Sequence, residues 1–96
     1  MVIQKEFPKG FMLYVRYNVE GCMNHIRRLQ RNGKIPVYED VEMYSTPIAN
    51  YAIDRYEEPI KILDDISSLD SYLSLSQEHR KWMKEVITNK IVNSEG

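Results

Sequence analysis

Between Phe11 and Val19 the chain alternates with a period of two. Phe11, Leu13, Val15, Tyr17 and Val19 make one apolar set, and Met12, Tyr14, Arg16 and Asn18 fall between them. Alternation of this kind predicts a half-buried β-strand, because successive strand side chains point to opposite faces. Val2 to Phe7 predicts a shorter strand before it. Phe7-Pro8-Lys9-Gly10 supplies the turn: proline presets φ and glycine suits the last turn position. Together these residues predict an antiparallel hairpin.

After Gly21 the period changes. Cys22, Ile26 and Leu29 recur at i, i+4 and i+7, which predicts a helix over 21–32. Gly33 stands where a left-handed C-cap is wanted, with Arg31 and Lys34 at the negative end of the dipole. Ile35 to Tyr44 then reads as extended, an edge strand because of Pro36, with Ile35, Val37, Val41 and Met43 on one face. The Glu39-Asp40 pair marks a bulge or bend there.

Helical spacing dominates the second half. Thr46-Pro47 suits N-cap and N1, so a short helix is expected over 47–56. Ile62, Ile66, Leu69 and Leu73 predict a helix over 59–74. Ser76 caps a last helix with Trp82, Met83, Val86, Ile87 and Ile91 on one stripe. The order β-β-α-β-α-α-α predicts an α+β fold: a small three-stranded sheet, made of the N-terminal hairpin plus one strand after a helix, covered by the C-terminal helices. Residues 1–92 form a single domain, and 93–96 form a frayed tail with no apolar residue to dock it.

Composition adds limits. At 96 residues, with 43% hydrophobic and 28% charged, the chain suits one globular domain and argues against disorder. The lone Cys22 excludes an internal disulfide. The apolar run at 11–15 is far too short for a bilayer, and the start lacks the layout of a signal peptide. A cytoplasmic location without a membrane partner is the expectation. Alanine is confined to Ala49 and Ala52 while Ile, Tyr, Asn and Ser abound, a bias that suits an AT-rich genome such as that of a low-GC bacterium or its phages.

Charge is segregated along the chain. Residues 1–34 carry seven bases and two acids, residues 35–75 two bases and nine acids, and residues 76–96 four bases and three acids. The basic set is Arg27, Arg28, Arg31 and Lys34; with Arg27 and Arg31 four apart, it could grip phosphates. The run Asn24–Tyr38 resembles the recognition helix and first wing strand of a winged-helix DNA-binding domain. The hairpin expected before it departs from that pattern, which calls for helices there. The acidic set, Glu39, Asp40, Glu42, Asp54, Glu57 and Glu58, is interleaved with tyrosines such as Tyr44. Such a surface can dock on a basic partner.

Candidate chemistry is sparse. Cys22 and His25 lie three apart and could be half of a zinc site or a nucleophile–base pair, but no second half stands at a fitting spacing. The paired carboxylates are adjacent in sequence and so diverge in space. The four glycines are scattered, and no phosphate loop or calcium loop is present. No cofactor or metal is expected. The leading expectation is a small non-enzymatic protein that binds a protein partner through charge-segregated, tyrosine-rich surfaces, such as a phage or mobile-element modulator of a host factor. The alternative is a small DNA- or RNA-binding regulator acting through the basic helix around 25–34. The wide apolar stripe of the last helix leaves a homodimer seam open.

Overall fold

A computed structural model describes residues 9–95, with side chains from residue 13 onward. Among these residues every regular element is a helix: α1 Lys9–Arg31, α2 Tyr38–Arg55, a 3₁₀ turn Pro59–Lys61, α3 Ile62–Ile66, α4 Asp70–Leu73 and α5 Gln77–Glu95. The α+β class and its three-stranded sheet are therefore corrected to an all-helical domain. The strand expected at 2–7 lies outside the described residues. The turn expected at 7–10 lies partly outside them, and Lys9 already begins α1.

The strand expected at 11–19 is the first half of α1. Val15 and Val19 satisfy both a period of two and a spacing of four. What separates the readings is the continuation. Val15, Val19, Cys22 and Ile26 recur at i, i+4, i+7 and i+11 and are all buried, whereas Leu13 and Tyr17, which the strand needed inside, are exposed. Each buried aliphatic contributes about 1.5–3 kcal/mol, so the continuous stripe outweighs local strand propensity. A Schellman turn ends the helix. Gly33 has φ +75°, its N–H donates to the Gln30 carbonyl (3.0 Å), and the Lys34 N–H donates to the Leu29 carbonyl (2.8 Å).

The strand expected at 35–44 is likewise corrected. Of its supposed inner face only Val41 is buried; Ile35, Val37 and Met43 are exposed. From Tyr38 the chain is helical, with Val41, Ser45, Ile48, Ala49 and Ala52 along the buried side. Glu39 and Asp40 occupy the first turn of α2, where the helix dipole favours acids, so they mark a helix start rather than a bulge. Pro47 lies inside α2, not at its beginning. The carbonyl that loses its donor to Pro47 belongs to the exposed Met43, where water can serve it.

Helices α1 and α2 pair antiparallel in a constant register. The Tyr14 ring meets the Tyr51 ring in a tilted contact (centroids 4.5 Å apart). Seven residues further along α1, Gly21 faces Tyr44, seven residues back along α2. Four more in each direction bring His25 to Asp40 at 3.1 Å. Steps of seven and four are the repeat of one helix face. Glycine at 21 is what admits the tyrosine: a Cβ there would stand 2.9 Å from the Tyr44 ring.

The single helix expected at 59–74 is broken into short pieces. Ser67 and Ser68 turn their hydroxyls back onto the carbonyls of Asp64 and Asp65, and Leu69 is extended. Ile62, Ile66, Tyr72 and Leu75 still reach the core. Tyr56, at the end of α2, donates its hydroxyl to Asp65; burial foremost, then this acceptor, raises the tyrosine pKa. Helix α5 begins as expected, with the His79 N–H donating to Ser76 Oγ (3.1 Å). It lays Met83, Ile87 and Ile91 into the core against α2, and its helical form continues through 93–95. Trp82 is half-buried, with Tyr38 and His79 at 5.9 and 5.2 Å. Among the described residues no helix is long and apolar enough to cross a membrane.

Candidate functional site

The core stripe of α1 leaves its opposite side to solvent. There the helical spacing gathers Leu13, Arg16, Tyr17, Glu20, Asn24, Arg27, Arg28 and Arg31, all exposed, over about 27 Å at 1.5 Å per residue. Four arginines and one glutamate share this face. Tyr17 is 78% exposed and Leu13 58%. A depression of about 320 Å³ between Tyr17, Asn18, Glu20, Gly21, Asn24 and Tyr44 runs along one flank. Gly21, which carries no side chain, is part of its lining. Just past the helix, Lys34 and Ile35 stand in the connecting loop, and Ile35 is 86% exposed.

Arg27, Arg28, Arg31 and Lys34 thus come together at one end of the molecule. Among the described residues none of them has an acidic partner; the ion pairs there are His25–Asp40 and the exposed Lys61–Glu58. The acidic middle segment does not neutralise the basic helix. The structure also replaces the expected wing strand: after Asn24 come the last turns of α1, the Schellman turn, a short extended stretch and α2.

The acidic set is spread out. Glu39 and Asp54 are exposed at opposite ends of α2, about 22 Å apart along its axis. Glu42 lies toward α5, where it and Glu85, after burial, raise the Tyr38 pKa. Glu57 and Glu58 are exposed in the turn that follows α2. Asp40 is internal to the α1–α2 pair. One oxygen accepts the Val37 N–H (2.8 Å) and the other meets His25 Nε2 (3.1 Å). The backbone hydrogen bond, partly opposed by burial and aided by His25, holds its carboxyl below the usual aspartate range. Tyr44 is half-buried over Gly21 and beside His25 (5.6 Å).

Cys22 and His25 do not cooperate. Burial, then the nearby Asp40 charge, pushes the Cys22 thiol up to about 12, so no thiolate forms near neutrality. His25 turns to Asp40 instead. Among the described residues no three His, Cys, Asp or Glu side chains converge as a metal site would require.

Two further recesses border α1. One of about 270 Å³ is lined by Arg16, Glu20, Ser68, Leu69, Asp70 and the buried Ser71. The other, about 230 Å³, lies between the second half of α1 and the start of α5, lined by Met23, Ile26, Arg27, Gln30, Ser74, Leu75, Ser76 and His79. Sequence reasoning found the arginines but missed Leu13, Tyr17 and Asn24 as their neighbours. The signal was present in the spacing of four between Leu13 and Tyr17 and of seven between Tyr17 and Asn24, hidden by the strand reading. No protein family, curated protein or solved structure matches the chain.

Proposed function

We propose that this protein is an interaction module that docks an acidic protein partner on the outer face of α1. The observation that carries the reading is the company the arginines keep. Arg16, Arg27, Arg28 and Arg31 lack acidic partners among the described residues, and they share their helix face with exposed Tyr17 and Leu13. Arginine and tyrosine are the side chains over-represented where interface binding energy concentrates, and exposed apolar groups between them have a use against protein. The depression beside Tyr17 is large enough for one partner side chain.

A second reading, nucleic-acid binding, is favoured by one feature: Arg27, Arg28, Arg31 and Lys34 cluster at the end of α1 with no ion-pair partner among the described residues. Phosphate contacts of this kind weaken steeply with salt.

The test is affinity capture from the source cells with the intact chain, comparing wild type, a Tyr17→Ala/Arg28→Glu/Arg31→Glu variant and a Glu39→Lys/Asp54→Lys control, with and without nuclease. Capture of an acidic protein that the α1 variant loses, the control keeps and nuclease does not touch is the expected result. Nuclease-sensitive capture would transfer the function to the nucleic-acid reading. Capture indifferent to the α1 variant would overturn both.

A further inference from the structure

The groove between α1 and α5 has a chemistry that the outer face alone does not explain. It opens onto the start of α5, where the His79 N–H is taken by Ser76 Oγ while the N–H groups of Gln77 and Glu78 keep no partner among the described residues. A helix start of this length concentrates partial positive charge there. Two side chains make it more than a helix end. Arg27 borders the groove from α1 with no acidic partner among the described residues. His79 is only 7% exposed, lines the same groove, and among the described residues neither ring nitrogen has a hydrogen-bond or ion-pair partner. Its ring nitrogens are not sealed from solvent, so a ligand oxygen entering the groove can replace the water that serves them.

We infer that this groove binds a carboxylate carried on a short aliphatic stem, the chemistry of a glutamate side chain on the partner. Ile26 and Leu75 supply the apolar wall for the stem, and Arg27, His79 and the first turn of α5 supply the cationic end. The acid at Glu78, in the same first turn, disfavours a dianion, so a single negative charge fits better than a phosphate. Arg27 belongs both to the outer face of α1 and to this groove, so a partner lying along α1 would meet the groove at its edge. To that extent the inference rests on the proposed function and gives its partner a specific anchor.

The experiment is a ¹H–¹⁵N titration of the full chain with butyrate, a monocarboxylate, and separately with inorganic phosphate, following the Gln77 and Glu78 amides and the His79 ring nitrogens. Saturable shifts at these groups with butyrate are expected. Affinity should be about tenfold weaker in Arg27→Gln, as for a lost charge-assisted hydrogen bond, and unchanged in Arg28→Gln, which does not line the groove. Tighter binding of phosphate than of butyrate, equal loss in the two variants, or no saturable shift would each overturn the inference. The two proposals fail separately. If butyrate does not bind while capture still depends on Tyr17 and Arg28, the groove is wrong and the docking face stands. If butyrate binds and capture ignores α1, the reverse holds.

Discussion

Replacing Pro47 by alanine tests the helical reading of the middle segment with a sign that depends on the fold. Inside α2, a proline lacks the N–H that would serve the Met43 carbonyl and crowds the preceding turn, at a cost of about 3 kcal/mol relative to alanine in a helix interior. Part of that cost is already relieved, because Met43 is exposed and its carbonyl can be hydrated. Alanine also gives up apolar contact at a half-buried site, about 1 kcal/mol. It frees the unfolded chain as well, by about 0.4–1 kcal/mol. The balance is a net stabilisation of about 1 kcal/mol, or a Tm increase of roughly 4–8 °C for a domain of this size. Urea titration with circular dichroism measures the first and a thermal scan the second. If Pro47 were instead the opening residue of a short helix, as the Thr46-Pro47 pair suggests, its missing N–H would cost nothing. Unchanged or lowered stability in Pro47→Ala would refute the argument.

Other substitutions probe the α1–α2 seam and the buried thiol. Gly21→Val places a branched side chain where even a Cβ stands 2.9 Å from the Tyr44 ring, so a loss of about 1–3 kcal/mol is expected in denaturant unfolding. Asp40→Asn removes the charged acceptor for the Val37 N–H and the partner of His25, at about 1 kcal/mol near neutrality. Because the folded pKa of Asp40 lies below its ordinary 3.8, the wild-type advantage is full above that value. It fades as the pH falls through the folded pKa, so the wild-type and variant stability curves should converge in acid. Cys22, buried and with its thiol pushed up to about 12, should resist an alkylating reagent at mildly alkaline pH in the folded protein and react once urea unfolds it.

The parts of the fold that were legible are those with one dominant signal. Ser76 reads as a cap, Gly33 as a left-handed stop, and Trp82, Met83, Val86, Ile87 and Ile91 as one helical stripe; the structure places each accordingly. The errors arose where two periods coincide. Val15 and Val19 fit either a strand or a helix. Only the burial of Cys22 and Ile26 in the same line, and the exposure of Leu13 and Tyr17, decides between them. Proline misled twice, because Pro36 suggested an edge strand and Pro47 a helix start, while tertiary burial of Val41, Ile48 and Ala52 carries the helix past Pro47. The candidate site inherited these errors. Arg27, Arg28 and Arg31 stand in the last turns of α1 and Lys34 in the loop after it, close to where the helical spacing put them. Their apolar and tyrosine neighbours became visible only once 9–31 was one helix with a single outer face.

That continuity underlies everything built on α1: the outer face, the Gly21–Tyr44 register and the groove beside Arg27. Backbone ¹³Cα and ¹³CO chemical shifts over 11–31 test it most directly. Uninterrupted helical shifts from Phe11 to Arg31, with sequential amide contacts through Val19 and Gly21, are the predicted result. Strand shifts over 11–19 with cross-strand contacts would contradict it, returning Leu13 and Tyr17 to a sheet and dissolving the proposed binding face.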